Sequence, residues 1–214
     1  MTTGIFAAKP TITGGKATLR PFTPADVEAM GPILADPEVL RLTGSVHTTA
    51  EAESWPAVLD AKTRGWYESR AAQTDRLDLA IVDQTTGRCV GEVVLNNWDG
   101  QDDSCNFRIL IGPSGRNRGI GSEATRMLLA HAFKTSTINR IELDVYAFNP
   151  RARRVYEQSG FQYEGRKRAA LKFDGDYIDA IVMSILRSDW HTNAGSDPEP
   201  EAAGHRPYWT PPCG

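Results

Sequence analysis

The chain has three cysteines in 214 residues, Cys89, Cys105 and Cys213. An odd count at this wide spacing fits neither a disulfide framework nor a zinc site, so no metal is expected and the reducing cytoplasm is the expected compartment. No run approaches the ~18 uninterrupted apolar residues of a membrane-spanning helix. The chain does not open on a basic start followed by an apolar stretch, so no secretory signal is expected. Internal repeats of solenoid or propeller period are also missing. What is present, 40% hydrophobic and 24% charged residues, describes an ordinary globular protein. Its length suits one domain able to bury a core without covalent staples.

The net charge of -3 hides an uneven distribution. Residues 188–214 carry four acids and one base, which accounts for the whole excess of acid. Between Arg116 and Lys172 lie twelve of the 24 bases against five acids. That segment calls for a polyanionic partner, either a nucleic acid or a phosphorylated cofactor.

One composition break is clear, after Trp190. From Gly195 onward five prolines and almost no aliphatic residues describe a flexible tail. The expected organisation is an N-terminal extension over 1–15, a folded domain over 16–190 and a Pro-rich acidic tail over 191–214. Within the domain, the pattern predicts a strand at Ala17 to Pro21 and a helix capped by Thr23 in a Thr-x-x-Asp box. A helical stretch from Ala50 to Ala72, broken near Gly65, is expected next. A hairpin of Leu77–Asp83 and Cys89–Trp98 follows, then a strand from Cys105 to Ile111. After the loop that ends at Gly121 come a helix, an alternating strand at Ile141 to Val145, a short helix from Pro150 to Gln158, and a second hairpin turning at Asp174-Gly175-Asp176.

The loop between Ile111 and Ala124 carries the first chemical signal. Ser114-Gly115-Arg116-Asn117-Arg118-Gly119-Ile120-Gly121 joins a strand to a helix, and the free amides and dipole of a helix N-terminus hold phosphate. Gly119 and Gly121 let a ligand approach the backbone, while Arg116 and Arg118 supply charge. The spacing matches neither the dinucleotide fingerprint nor the P-loop, because Ala124 stands where a glycine is needed and no Gly-Lys-Ser/Thr follows. A solvated strand-to-helix turn is the competing explanation.

A second motif, Asn149-x6-Tyr156-Glu157-x2-Gly160-Phe161, puts Asn149 at a strand end and Tyr156 about two helical turns later. With both motifs in this order, the sequence resembles the GNAT superfamily of N-acetyltransferases over roughly Thr18 to Trp190. Within it the chain is most similar to the RimJ/RimL-like ribosomal-protein N-terminal acetyltransferases. Leu19-Arg20-Pro21, Glu164-Gly165, Asp176 to Asp179 and Ser188-Asp189-Trp190 carry that similarity. The resemblance implies an α+β fold of α/β/α layers, with a mixed, mostly antiparallel sheet of six to seven strands flanked by helices. It also implies acetyl-CoA as cosubstrate and direct attack of a primary amine on the thioester through a tetrahedral intermediate.

On this resemblance Leu110, Ile111 and Gly112 meet the pantetheine arm through their backbone, with an amide near Leu110 polarising the carbonyl. Residues Arg116 to Ser122, that is Arg116, Asn117, Arg118, Gly119, Ile120, Gly121 and Ser122, cradle the pyrophosphate. Asn149 adds a cofactor contact, and so does one of Arg151, Arg153 and Arg154, with Arg154 taken as that one, although Asn149 also suits a helix cap and the three arginines a solvated helix face. Tyr156 matches the general acid that protonates the leaving thiolate, with helix packing as the alternative. Relatives commonly carry an acid where this chain has Asn106, which leaves Glu92 and Asp179 as candidate bases. An α-amine is about one-tenth neutral at pH 7, whereas a lysine is neutral in about one molecule in 2500, so a weak base favours the α-amine. The expected acceptor is therefore a protein N-terminal α-amine, with a small-molecule amine or a CoA-binding module without turnover as alternatives. The resemblance admits a homodimer; neither nucleic acid nor membrane is an expected partner.

Overall fold

The computed structural model describes residues 6–194. Eight strands form one sheet in the order β1-β2-β3-β4-β5-β6-β8-β7. They are β1 (Ile12–Thr13), β2 (Ala17–Arg20), β3 (Leu77–Asp83), β4 (Cys89–Asp99), β5 (Ser104–Ile111), β6 (Arg140–Tyr146), β7 (Gln162–Phe173) and β8 (Asp176–Leu186). Every neighbouring pair is antiparallel except β5 and β6. The expected α+β class is observed. The strand beyond the expected six to seven is β1, which lies inside the segment anticipated as an extension and pairs Ile12 with Leu19.

The helices cover both faces. Helix α1 (Pro24–Leu34) starts at Thr23, where both hydrogen bonds of the capping box form with Asp26. The next helix, α2 (Pro37–Thr43), begins immediately after its own cap, Asp36, whose carboxylate accepts from the Val39 amide at 2.9 Å. The long helical stretch expected over 50–72 is instead α3 (Thr49–Glu53), α4 (Ala61–Glu68) and a 3₁₀ turn at Arg70–Ala72. Its interruption spans residues 54–60, around Pro56, which lacks the amide a continuing helix needs. Gly65 lies within α4.

Helices α5 (Ile120–Thr135) and α6 (Pro150–Gln158) lie on the opposite face. There Ile120, Ala124, Leu128, Leu129, Ala132 and Phe133 pack on Leu79, Val93, Leu95, Phe107 and Ile141 to form the main core. A second cluster sits under α1, around Val27, Met30, Tyr67 and Ala80. Strand β3 is covered on both faces and buried throughout. Helix α7 (Arg187–Ala194) extends past the expected domain end at Trp190, and that tryptophan stacks on Phe133. Most of the expected tail, from Gly195 onward, lies outside the described residues. Among the described residues no helix is long and apolar enough to cross a membrane.

The feature that builds the site is a parting of strands. Strand β5 pairs with β6 at Ser104, Cys105 and Asn106 only. From Phe107 to Ile111 the β5 edge facing β6 has no ladder partner, while β6 continues against β8 as far as Tyr146. On its other edge β5 is held tightly by β4. A Cβ on Gly91 would lie 2.1 Å from the Leu110 carbonyl oxygen, so only glycine permits this approach.

Candidate active site

The parted strands open a cavity of about 770 Å³. Its walls are β5 from Asn106 to Ile111, β6 from Leu143 to Tyr146, the start of α5, helix α6, and Val39, Leu42 and Thr43 of α2. Backbone polar groups must find partners somewhere, and an open strand edge in a cavity is a template for an extended polar ligand.

At one end the cavity meets the N-terminus of α5. Gly119 is the N-cap, at φ +76°, and no side chain caps the helix. The first intrahelical bond runs from Glu123 N to Gly119 O, so the amides of Ile120, Gly121 and Ser122 have no helical acceptor. Sixteen residues of aligned dipole end at this uncapped turn, which favours an anion. Gly115, Asn117, Gly119, Gly121 and Ser122 line the cavity here.

Tyr156 lies deeper, on α6. Its ring meets Phe107 and Phe161 edge-on, at centroid distances of 6.0 and 5.8 Å, and it lines the cavity. Burial raises its phenol above the ordinary tyrosine value, so the hydroxyl stays protonated at neutral pH. Asn149 caps α6, accepting from the Ala152 amide at 3.1 Å, and also faces the cavity.

A family model described as the acetyltransferase (GNAT) domain matches residues 16–162. The chain belongs to the GNAT acetyltransferase family. A GNAT relative, the SPbeta prophage-derived uncharacterized N-acetyltransferase YokL of Bacillus subtilis, is 25% identical over 183 residues, covering 86% of this chain and 97% of its own. The L-amino acid N-acetyltransferase AaaT of Escherichia coli is 35% identical over 83 residues, 38% of this chain and 51% of that protein. The solved spermidine N-acetyltransferase of Vibrio cholerae, in complex with CoA and spermine, superposes with a TM-score of 0.70 at 20% identity. It covers 83% of this chain and 99% of that one. The protein is accordingly an acetyl-CoA-dependent GNAT N-acetyltransferase. The open β5 edge and the uncapped α5 amides fit an acetyl-CoA molecule, with its extended pantetheine arm and its pyrophosphate.

Within this GNAT cavity the structure brings together Leu110, Ile111, Arg116, Asn117, Gly119, Gly121, Ser122, Asn149 and Tyr156. Other expected site residues stand elsewhere, for physical reasons. Gly112 is buried against Ile33, and Ile120 belongs to the core. Arg118 turns away to form a two-pronged ion pair with Asp83, at 2.6 and 3.1 Å, and holds that carboxyl down at about 2. Arg154 does not reach the cavity, and Arg151, one turn earlier, lines it instead. Arg116 does line it, but its guanidinium is already shared by Asp36, Glu38 and the Ile111 carbonyl. It works as a clamp between α2 and the end of β5, so its donors are already engaged within the chain.

Neither candidate base faces the cavity. Asp179 on β8 accepts from the Ala169 amide at 2.8 Å and pairs with Arg166; the amide foremost keeps its carboxyl below the ordinary range. Glu92 on β4 is 8% exposed and lies beside Tyr67 under α1. Burial pushes its carboxyl up to about 7, and one of its oxygens has no partner. The carboxylate that does line the cavity is Asp144, paired with Lys167. Asp144, Tyr146, Lys167 and Arg108 were not anticipated as site residues. Arg108 had a visible signal: a lone charge inside the otherwise apolar run from Phe107 to Ile111.

Proposed function

We propose that this enzyme acetylates an α-amine, foremost the N-terminal amine of a peptide or protein. The observation that carries the proposal is the cavity wall itself, whose one carboxylate among the described residues, Asp144, is neutralised by Lys167. A wall without a free acid gives a polycation nothing to bind and a high-pKa amine nothing to deprotonate it. An α-amine with a pKa near 7.8 needs only water for that step at neutral pH. A free amino acid is a second acceptor class, favoured by the similarity to the Escherichia coli L-amino acid N-acetyltransferase.

Acetyl-CoA supplies an activated thioester, and each remaining task falls to a group of this chain. The α5 amides at residues 120–122 hold the pyrophosphate, and the β5 backbone at Leu110 and Ile111 aligns the pantetheine arm. A β5 amide near Leu110 polarises the carbonyl, with no reorganisation at the moment of attack. Tyr156, kept protonated by burial, donates to the departing sulfur. Asn149 offers its amide to the arm while its oxygen caps α6.

We further place the chain in the RimJ/RimL-like branch, in the cytoplasm. Cys89 and Cys105 are free, buried thiols, which agrees with a reducing compartment.

The test is kcat/KM between pH 6 and 9 on matched acceptors: a short peptide with a free N-terminus, a peptide blocked there but carrying lysine, an amino acid, and spermidine. The peptide α-amine should exceed the lysine acceptor by at least about 100-fold at pH 7, with a limb that tracks the acceptor pKa. Spermidine as the best acceptor would overturn the proposal.

A further inference from the structure

The proposed α-amine acceptor can be described more closely, on the strength of that reading, from the charge left over in the cavity. Among the described residues five charged side chains line it: Arg108, Arg116, Asp144, Arg151 and Lys167. Arg116 is paired with Asp36 and Glu38, Arg151 with Glu38 at 2.7 Å, and Lys167 with Asp144. Arg108 is the remainder. It is exposed and forms no ion pair or hydrogen bond with any described residue.

Its position gives this surplus charge a meaning. Strand alternation puts Asn106, Arg108 and Leu110 on one face of β5. Arg108 therefore stands two residues before the position whose backbone meets the thioester, just beyond the point where β6 stops pairing at Asn106. Across the ladder its partner is apolar Val94; the diagonal neighbour on that face, Glu92, feels the Arg108 charge, but burial raises its carboxyl to about 7 and the two form no ion pair. A guanidinium remains charged at every physiological pH and presents donors in a fork that matches a carboxylate. Placed beside the reacting centre, it repels a polyamine and attracts an acceptor that carries a negative group.

We propose that Arg108 is a specificity residue that holds a carboxylate of the acceptor, close to the attacking α-amine. Two sources present that chemistry: the α-carboxylate of a free amino acid, and an acidic side chain at the first or second residue of a peptide.

The experiment compares kcat/KM at saturating acetyl-CoA for wild type, Arg108→Gln, Arg108→Lys and Arg108→Glu. The probes are L-serine against L-serinamide, each rate referred to its neutral-amine concentration, the amidated peptide Ser-Glu-Ala-Ala against Ser-Gln-Ala-Ala, and spermidine. Wild type should prefer the carboxylate member of one pair by about tenfold or more, mainly through KM, and the pair that discriminates identifies the source. That preference should fall to within about twofold in Arg108→Gln, persist in part in Arg108→Lys, and turn toward spermidine in Arg108→Glu. Equal use of carboxylate and amide members by wild type, or an equal loss on all acceptors in Arg108→Gln, would overturn the assignment. No transfer by wild type to any amine, with acetyl-CoA binding intact, would instead overturn the α-amine reading and this inference with it.

Discussion

Glu92→Gln separates the cost of burying a carboxylate from any part in acetyl transfer. The carboxyl is 8% exposed, has one oxygen without a partner, and titrates near 7 in place of 4.5 because burial penalises its charged form. Between those two values the folded protein holds a proton that the unfolded chain has released. Stability therefore falls as pH rises through this window: the contribution is complete below about pH 4.5 and lost above about pH 7. A shift of 2.5 units at 1.36 kcal/mol each comes to about 3 kcal/mol. Glutamine keeps the shape and can accept the Tyr67 hydrogen bond without ever charging. The variant should lie within about 1 kcal/mol of wild type at pH 5 and exceed it at pH 8 by about 3 kcal/mol, roughly 6 to 12 °C in Tm for a chain of this size. Thermal unfolding of both proteins at the two pH values reads the difference directly, since all other titrations cancel. Because Glu92 does not line the cavity, transfer in the variant should stay within about threefold of wild type. Identical pH dependence in both proteins would refute the burial argument. A loss of 100-fold in kcat at constant KM would show that Glu92 takes the amine's proton after all.

Other substitutions test other parts of the account. Tyr156→Phe keeps the ring against Phe107 and Phe161 and removes the proton donor, so kcat should fall about 100-fold with KM for acetyl-CoA little changed; unchanged kcat would leave only the packing role. Arg118→Met should leave that KM within about threefold, because Asp83 already occupies the guanidinium; a tenfold rise would return Arg118 to the phosphate site. The Glu123 carboxylate accepts from the amides of Gly15, Lys16 and Ala17 at 3.0, 2.7 and 2.8 Å, joining β2 to α5. Glu123→Ala should cost about 2 to 3 kcal/mol in denaturant unfolding, and a change below 0.5 kcal/mol would contradict that anchoring.

Local signals made most of the framework legible. Thr23 and Asp26 announce a capping box, Asp174-Gly175 a hairpin, and the alternation around Ile141 a half-buried strand, and each forms where its chemistry requires. That Asn117, Gly119, Gly121 and Ser122 share one cavity wall was legible for a similar reason, since they lie close together on one loop and one helix. Long-range pairing decided what the sequence left open. Arg116 and Arg118 looked free because Asp36, Glu38 and Asp83, which occupy them, lie 80, 78 and 35 residues away. Glu92 and Asp179 looked available because nothing local reveals that one points under α1 and the other braces an irregular stretch of β7. Arg108 stands out in the sequence as a lone charge in an apolar run, but its place on the cavity wall depends on where β6 parts from β5.

The central claim is that acetyl-CoA lies between the parted strands with its pyrophosphate on the uncapped turn of α5. The most direct measurement is thermal unfolding of wild type and Gly121→Glu while acetyl-CoA is titrated in. Gly121 suits the test better than Gly119, whose positive φ would strain any side chain; a Cβ at residue 121 meets only ordinary contact with Ile111, at 3.4 Å. Glutamate there suits a helix N-terminus yet puts bulk and negative charge where phosphate would bind. At one hundred times the dissociation constant, binding should stabilise wild type by about 2.7 kcal/mol, a rise of roughly 5 to 10 °C. The folded variant should show no rise at the same concentration. An equal rise in both proteins would place the cofactor elsewhere, and no rise in wild type at millimolar acetyl-CoA would contradict the account at its base.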